Sequence, residues 1–357
     1  MELKSLIKNP FKKKESFLTR MLIMRFSAMG DVAMTIPVIH SLASQHRELR
    51  ITVLTRNRFV PMFQWLPANV EVRGVDLTKY EGMTGLTKLY SELKSYNFDI
   101  VADLHDVIRT KYLRTCFRMA GSKVFVVDKG RKEKHNIIGN GQNGKDIRPM
   151  LERYADVFRS AGYPIDVQYT KAFNPLTENF SDVRAVAGRK EVGETWIGIA
   201  PFAAHAQKIY PLDKMRMVAN MLAEKGYKIF LFGAGKDESN ELKSWESSGI
   251  KSVCGELGGL HNEMLLMSQL NLMITMDSAN MHIASLVGTP VLSIWGATHP
   301  KAGFTGFGQS ADNTLQLDLP CRPCSIYGNV ECKLGDFRCM NGIKPEDIVK
   351  KAAEIIN

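Results

Sequence analysis

A chain of 357 residues exceeds the size at which single cores stop growing, roughly 250 residues, so two domains are expected. Its 45% hydrophobic and 24% charged residues are those of a globular protein, and no apolar run approaches the roughly 20 residues of a bilayer span. The net charge of +10 is uneven: residues 1–190 carry 32 Lys and Arg against 19 Asp and Glu, and residues 191–357 carry 15 against 18. One half suits an anionic partner or surface, and the other does not.

The first 25 residues interleave Lys4, Lys8, Lys12, Lys13, Lys14, Arg20 and Arg25 with Leu3, Leu6, Ile7, Phe11, Phe17 and Leu18. This mixture suits a segment lying on an anionic membrane surface, and equally a disordered basic leader. It has neither the apolar core nor the cleavage site of a signal peptide, so a cytoplasmic location is expected, where thiols stay reduced. A buried strand is predicted over 21–26, followed by a small-residue loop, Ser27 to Gly30, and a helix opened by Asp31. That order puts a carboxylate at the C-terminal end of a strand, where open α/β folds bind ligands. Gly30 is expected to take a positive φ and admit a substrate to the backbone. By itself Asp31 would serve equally as a helix N-cap.

Further strands are predicted over 51–55, 70–75, 98–104 and 123–127, with helices over 32–45 and 86–95, the alternation of a parallel sheet with crossover helices. Residues 128–149 are rich in Gly, Asn and Lys and read as a long mobile loop, a type usually functional. A helix over 149–160 leads into a polar connector near 174–189. A second series then begins, with strands over 196–200, 228–232, 272–276 and 291–295 and helices over 213–225, 238–245, 262–268 and 279–287. Two doubly wound halves in tandem imply a ligand cleft between them. The last helix, 345–356, has Pro in its first turn.

Chemistry gathers at four places. Asp31 is the first. The second is Lys208, in the loop after the strand 196–200, where a cation can neutralise phosphate charge. The third is the junction of strand and helix at Asp277, Ser278, Ala279, Met281 and His282. The free N–H groups of that helix make an anion site, and the small residues leave room for a ligand. Gly233, in the turn FGAGKD, adds a second glycine-bearing strand end. The fourth is Cys321, Cys324, Cys332 and Cys339, spaced C-x2-C-x7-C-x6-C, which suggests a structural zinc or a metal-free loop.

Taken together, MRFSAMGDVAMTIP, the lysine-bearing loop and DSANMHIASLVGTPVLSIWG resemble glycosyltransferase family 9, the lipopolysaccharide heptosyltransferases that use ADP-heptose. The likeness runs in motif order over roughly residues 20–345, and the late cysteines followed by GIKP resemble the end of these enzymes. It implies a GT-B fold of two Rossmann-like domains, with a leader at 1–18, an acceptor domain at 19–175, a donor domain at 176–344 and a helix, 345–357, packing back toward the first domain. It implies inverting transfer of a heptose from a nucleotide-diphosphate sugar to a lipopolysaccharide-core glycolipid, with Asp31 as the base. Lys208, Asp277, Ser278, Ala279, Met281, His282 and Gly233 would hold the donor. Gly30, His105 and Arg109 are the acceptor-side candidates. No catalytic cofactor is implied, nor any nucleic acid. The implied location is peripheral, on the cytoplasmic face of the inner membrane. A Rossmann-type oxidoreductase or epimerase is the alternative enzyme, but neither half opens with GxGxxG. A basic nucleic-acid-binding protein with a zinc knob is the non-enzymatic alternative, and an aromatic-rich basic motif is missing.

Overall fold

The computed structural model describes residues 18–138, 146–171, 173 and 175–357. The basic segment read as membrane-facing therefore lies almost wholly outside the described residues. Strands β1 (Thr19–Met24), β2 (Leu49–Arg56), β3 (Val70–Val75), β4 (Ile100–Asp103) and β5 (Lys123–Val126) form a parallel sheet in the order β3-β2-β1-β4-β5. Helices α1 (Met29–Gln45), α2 (Gly82–Lys94), α3 (Ile108–Met119), α4 (Arg131–Ile137) and α5 (Met150–Ser160) accompany it. A second parallel sheet takes the order β11-β10-β9-β6-β7-β8, from β6 (Trp196–Ala200), β7 (Lys228–Leu231), β8 (Ile250–Ser252), β9 (Leu272–Met276), β10 (Val291–Trp295) and β11 (Thr314–Gln316). Its helices are α6 (Ser181–Ala187), α7 (Leu212–Glu224), α8 (Gly235–Lys243), α9 (Leu260–Met267), α10 (Ala279–Leu286), α11 (Arg338–Asn341) and α12 (Pro345–Ile356).

The central strands are largely apolar because helices cover both faces of each sheet, as parallel sheets require. Strands β6, β9 and β10 are buried along their whole length. Strand order reverses between β1 and β4 in one sheet and between β6 and β9 in the other. The carboxyl ends of strands at such reversals are where open α/β sheets place ligands.

One apolar cluster runs through both halves, from Met21 and Ile39 to Met281 and Trp295. Helix α1 packs across α10, so the helices that follow the two reversal points face each other. The connector is tied to the same surface. Ser41 Oγ donates to the Gln168 carbonyl at 3.0 Å, Gln45 Nε2 donates to the Asp166 carbonyl at 2.6 Å, and Tyr169 OH donates to the Leu286 carbonyl at 3.1 Å.

Three expectations change. Helix α12 does not turn back to the first half: Ile348, Val349 and Ala352 are buried in the second core, against α7, β9 and β10. Its apolar stripe covers the flank that the second sheet leaves open there. Residues 128–149 are not all loop, because α4 lies within them. Ile137 and Ile147 join Ala302 and Ile326 in a small cluster that docks this segment on the second half. Finally, Gly30 is the second residue of α1 and has no positive φ. Its value is close approach: a Cβ there would lie 2.7 Å from His282 Cδ2.

Candidate active site between the two sheets

A cleft of about 520 Å³ opens between the carboxyl ends of the sheets. Asp31, Lys208, Asp277, Ser278, Ala279, His282, Gly233 and Gly30 all line it. The site therefore contains most of the residues that the sequence pattern singled out, drawn from both halves.

On the first half, α1 begins at Met29, so Asp31 is its third residue and not its N-cap. The carboxylate still serves the helix end, since Oδ2 accepts the Ala28 N–H at 3.2 Å. Its stronger partner is Arg25, whose Nη2 lies 2.8 Å from Oδ2. Tyr154 OH donates to Oδ1 at a long 3.5 Å. Arg25 is 5% exposed, sits over the Tyr154 ring and donates to the Leu104 carbonyl. Burial opposes its charge, but Tyr154 and Asp31 nearby more than compensate and raise its pKa. These contacts hold the Asp31 carboxylate at the cleft wall with a fixed orientation.

On the second half, Lys208 Nζ lies 2.8 Å from Asp277 Oδ2, which also accepts from Thr298 Oγ1 at 2.8 Å. Both charged side chains are largely buried. One ammonium proton serves Asp277, and two remain for a ligand. Gly328 makes room for the lysine stem, because a Cβ there would be 2.5 Å from Lys208 Cγ. Ser278 Oγ pairs with Thr275 Oγ1 at 3.0 Å and makes no cap bond, so the first N–H groups of α10 keep no side-chain partner at the cleft.

His282 is a neutral ring. Burial pushes its pKa down to about 4, against the opposing pull of Asp277 and Asp31. It lines the cleft as an uncharged wall in contact with Gly30. The Gly30→Ala variant should force that ring or α1 to move. A cost of about 1–3 kcal/mol is expected for such overpacking, read by chemical denaturation, and an unchanged midpoint would contradict the close contact.

Burial likewise lowers His299 to about 4 and His105 to about 3. The unfolded chain takes up these protons near pH 6.5, whereas the folded chain does so only near pH 3–4. The unfolded state therefore binds more protons across that window, and stability must fall as the pH drops through it. Thermal melts should show a midpoint that declines between pH 7 and pH 4.5. A flat profile would contradict three buried neutral rings.

Some expected residues are placed elsewhere. Met281 is 1% exposed and packs in the core beside Gly306, so its side chain does not face the donor end. The reason is helical spacing, since Ser278, Ala279 and His282 occupy the cleft face. His105 and Arg109 do not line the cleft. His105 is buried behind Ser27, with Ser27 Oγ 3.2 Å from Nε2, and Arg109 is the second residue of α3.

The four late cysteines are free thiols. Among the described residues no group of three or more His, Cys, Asp or Glu is arranged to hold a metal ion. Burial and the other three cysteines push Cys324 up to about 11, while the N–H groups of Phe337, Leu334, Gly335 and Asp336 lower Cys332. The loop is braced by Arg322. This guanidinium, 2% exposed, donates to the Gly296, Leu317 and Thr298 carbonyls and to Gln316.

The pattern did not point to Arg25 as a site residue, although a lone charge at the end of an apolar strand is a signal. Tyr154 and Thr298 reach the site from distant segments and carried no local signal.

The model of a family described as glycosyltransferase family 9 (heptosyltransferase) matches residues 86–334. Lipooligosaccharide heptosyltransferase 2 of Haemophilus influenzae is 25% identical over 305 residues, covering 78% of this chain and 84% of that protein. Lipopolysaccharide heptosyltransferase 3 of Escherichia coli K12 is 24% identical over 294 residues, covering 75% and 80%. The solved glycosyltransferase family 9 protein of Veillonella parvula has a TM-score of 0.73 at 18% identity, covering 95% of this chain and 97% of that one. E. coli ADP-heptose lps heptosyltransferase II has a TM-score of 0.69 at 17% identity, covering 95% and 98%. The fold is thus the GT-B arrangement of two Rossmann-like domains. With that match covering more than half of the chain, the chain belongs to glycosyltransferase family 9, the heptosyltransferase family.

Proposed function

We propose that this glycosyltransferase moves a heptose from ADP-heptose to an anionic lipopolysaccharide-core acceptor, with inversion. The observation that carries the reading is the opposition across one cleft of Asp31, held by Arg25, and the pair Lys208–Asp277 beside the open end of α10. Asp31 takes the proton of the acceptor hydroxyl as its oxygen bonds to the anomeric carbon. The bond from that carbon to the diphosphate breaks on the opposite face. Lys208 and the N–H groups of α10 receive the charge that builds on the leaving ADP. The solved E. coli heptosyltransferase WaaC with ADP, which has a TM-score of 0.65 to this chain, supports the choice of base.

The acceptor side is the basic half. Arg114 and Arg131 reach Asp106 at 3.1 Å each, and Lys111 lies 3.8 Å from it, at the turn after β4. This excess of cations suits a phosphorylated glycolipid and peripheral contact with an anionic membrane face. The test is a donor panel. ADP-heptose should support transfer to lipopolysaccharide core, and UDP- or GDP-sugars should not. No turnover with ADP-heptose, alongside binding of another nucleotide, would replace the donor. Binding to anionic liposomes that is unchanged when residues 1–18 are deleted would remove the leader from the membrane contact.

A further inference from the structure

Two exposed apolar side chains of the first half stand near one another. Met83, the second residue of α2, is 70% exposed, and Ile108, the first residue of α3, is 87% exposed. Helix α2 leads from β3 to β4 and α3 from β4 to β5, so both run against the parallel strands and parallel to each other. Their register is fixed by Thr87 Oγ1, 2.6 Å from Tyr112 OH, and by the Tyr90 and Phe117 rings, 5.0 Å apart. Thr87 lies four residues after Met83 and Tyr112 four after Ile108, so both apolar residues sit one turn beyond a direct contact. That turn is at the carboxyl end of the sheet, the end at which Asp31 enters the cleft.

Single apolar side chains are ordinary on a surface, but this pair has a charged setting. Arg109 follows Ile108, Lys88 follows Thr87, and Lys111 and Arg131 lie 3.8 and 3.1 Å from Asp106. The nearby acids are Asp106, taken up by these cations and Arg114, and Glu81 before α2. Apolar tips among cations match the boundary of an anionic bilayer, where the tips enter the acyl region and the cations meet the headgroups. A protein partner would call for a contiguous apolar patch, larger than two side chains. The acceptor reading points the same way. A lipid-anchored sugar must reach Asp31 while its tails stay in the bilayer, so the bilayer has to lie at this end of the first half. Met119 is 85% exposed but stands at the opposite end of α3, and Val192 stands beside Glu191 in the acidic half.

We propose that Met83 and Ile108 dock the first half on an anionic lipid bilayer, with Lys88, Arg109, Lys111 and Arg131 facing its headgroups. The proposal rests on the membrane contact read above and names the face that makes it. It is tested by cosedimentation of the full chain with vesicles of phosphatidylcholine, with and without phosphatidylglycerol. Wild type should bind only the vesicles that contain phosphatidylglycerol. Met83→Asp together with Ile108→Asp should weaken that binding at least about tenfold, since apolar area is lost and negative charge is added. Met119→Asp should bind as wild type does, and Ile108→Trp, which keeps an apolar tip, should bind at least as tightly. Calorimetric titration with ADP should be the same for every protein, which shows that each is folded. In the double variant, transfer from ADP-heptose to a vesicle-embedded acceptor should fall, and transfer to the same core freed of its acyl chains should not. Vesicle binding that survives the double substitution, or falls equally with Met119→Asp, overturns the docking face. So does an equal loss of transfer to the acyl-free core, because the pair would then touch the sugar. A wild-type dimer in sedimentation velocity that the double variant dissolves also overturns it, because the patch would then belong to a second copy. A wild type that binds neither vesicle overturns the membrane contact itself, while ADP binding and transfer to the acyl-free core test the donor reading separately.

Discussion

The Asp31→Asn variant is expected to lose at least about 10²-fold in turnover while ADP binding stays within a few-fold of wild type. The amide keeps the size of the side chain, and its oxygen can still accept the Ala28 N–H, so the start of α1 should hold. It cannot take a proton from the acceptor hydroxyl. Arg25 loses its ionic partner but keeps the Leu104 carbonyl and the Tyr154 ring, which should preserve the fold. Steady-state transfer from ADP-heptose and calorimetric titration with ADP check both halves of the statement. Turnover close to wild type would leave Asp31 as a capping carboxylate and Arg25 partner only.

The second large effect is on the donor. Lys208→Ala should weaken ADP binding by roughly 10- to 100-fold, the range for a lost hydrogen bond to a charged group. Adenosine, which has no phosphate, should bind almost as before. The variant also strips Asp277 of its cation, and removing one partner of a buried pair destabilises by about 3 kcal/mol or more. The Thr298 hydroxyl remains to satisfy the carboxylate in part. A melting curve therefore accompanies the titrations, to confirm a folded protein at the assay temperature. Equal losses for ADP and adenosine would reduce Lys208 to a counter-ion that shapes the loop.

Asp31, Lys208 and Asp277 were legible in the sequence for one shared reason. Each follows a continuous apolar run, and such a run marks a strand that ends at a ligand-bearing edge. Strands β6, β9 and β10 have the predicted limits, because buried parallel strands are largely apolar along their length. Strands β8 and β11, at opposite edges of the second sheet, have three residues each and leave no such pattern. Helix α3 was missed because half of its sequence, IRTKYLRTCFRM, is polar, and only Thr110, Leu113 and Phe117 are buried.

Partnership across the fold was not legible. Nothing local tells that Arg25 turns toward Asp31, that Tyr154 comes from α5 to the same carboxylate, or that Arg322 braces the cysteine loop through carbonyls 5 to 26 residues away. Nor could spacing decide the direction of α12, since an apolar stripe specifies that a helix must pack but not on which surface. Gly30 makes the same point. Its sequence context suggested a turn, while the fold uses its missing side chain to bring α1 against His282. Periodicity and strand-end chemistry are properties of neighbours in the chain, and so the two sheets, their order of elements and three of the charged groups in the cleft could be read directly. Which charges pair, which rings are neutral and where the two halves touch depend on distances between remote segments, which only packing sets.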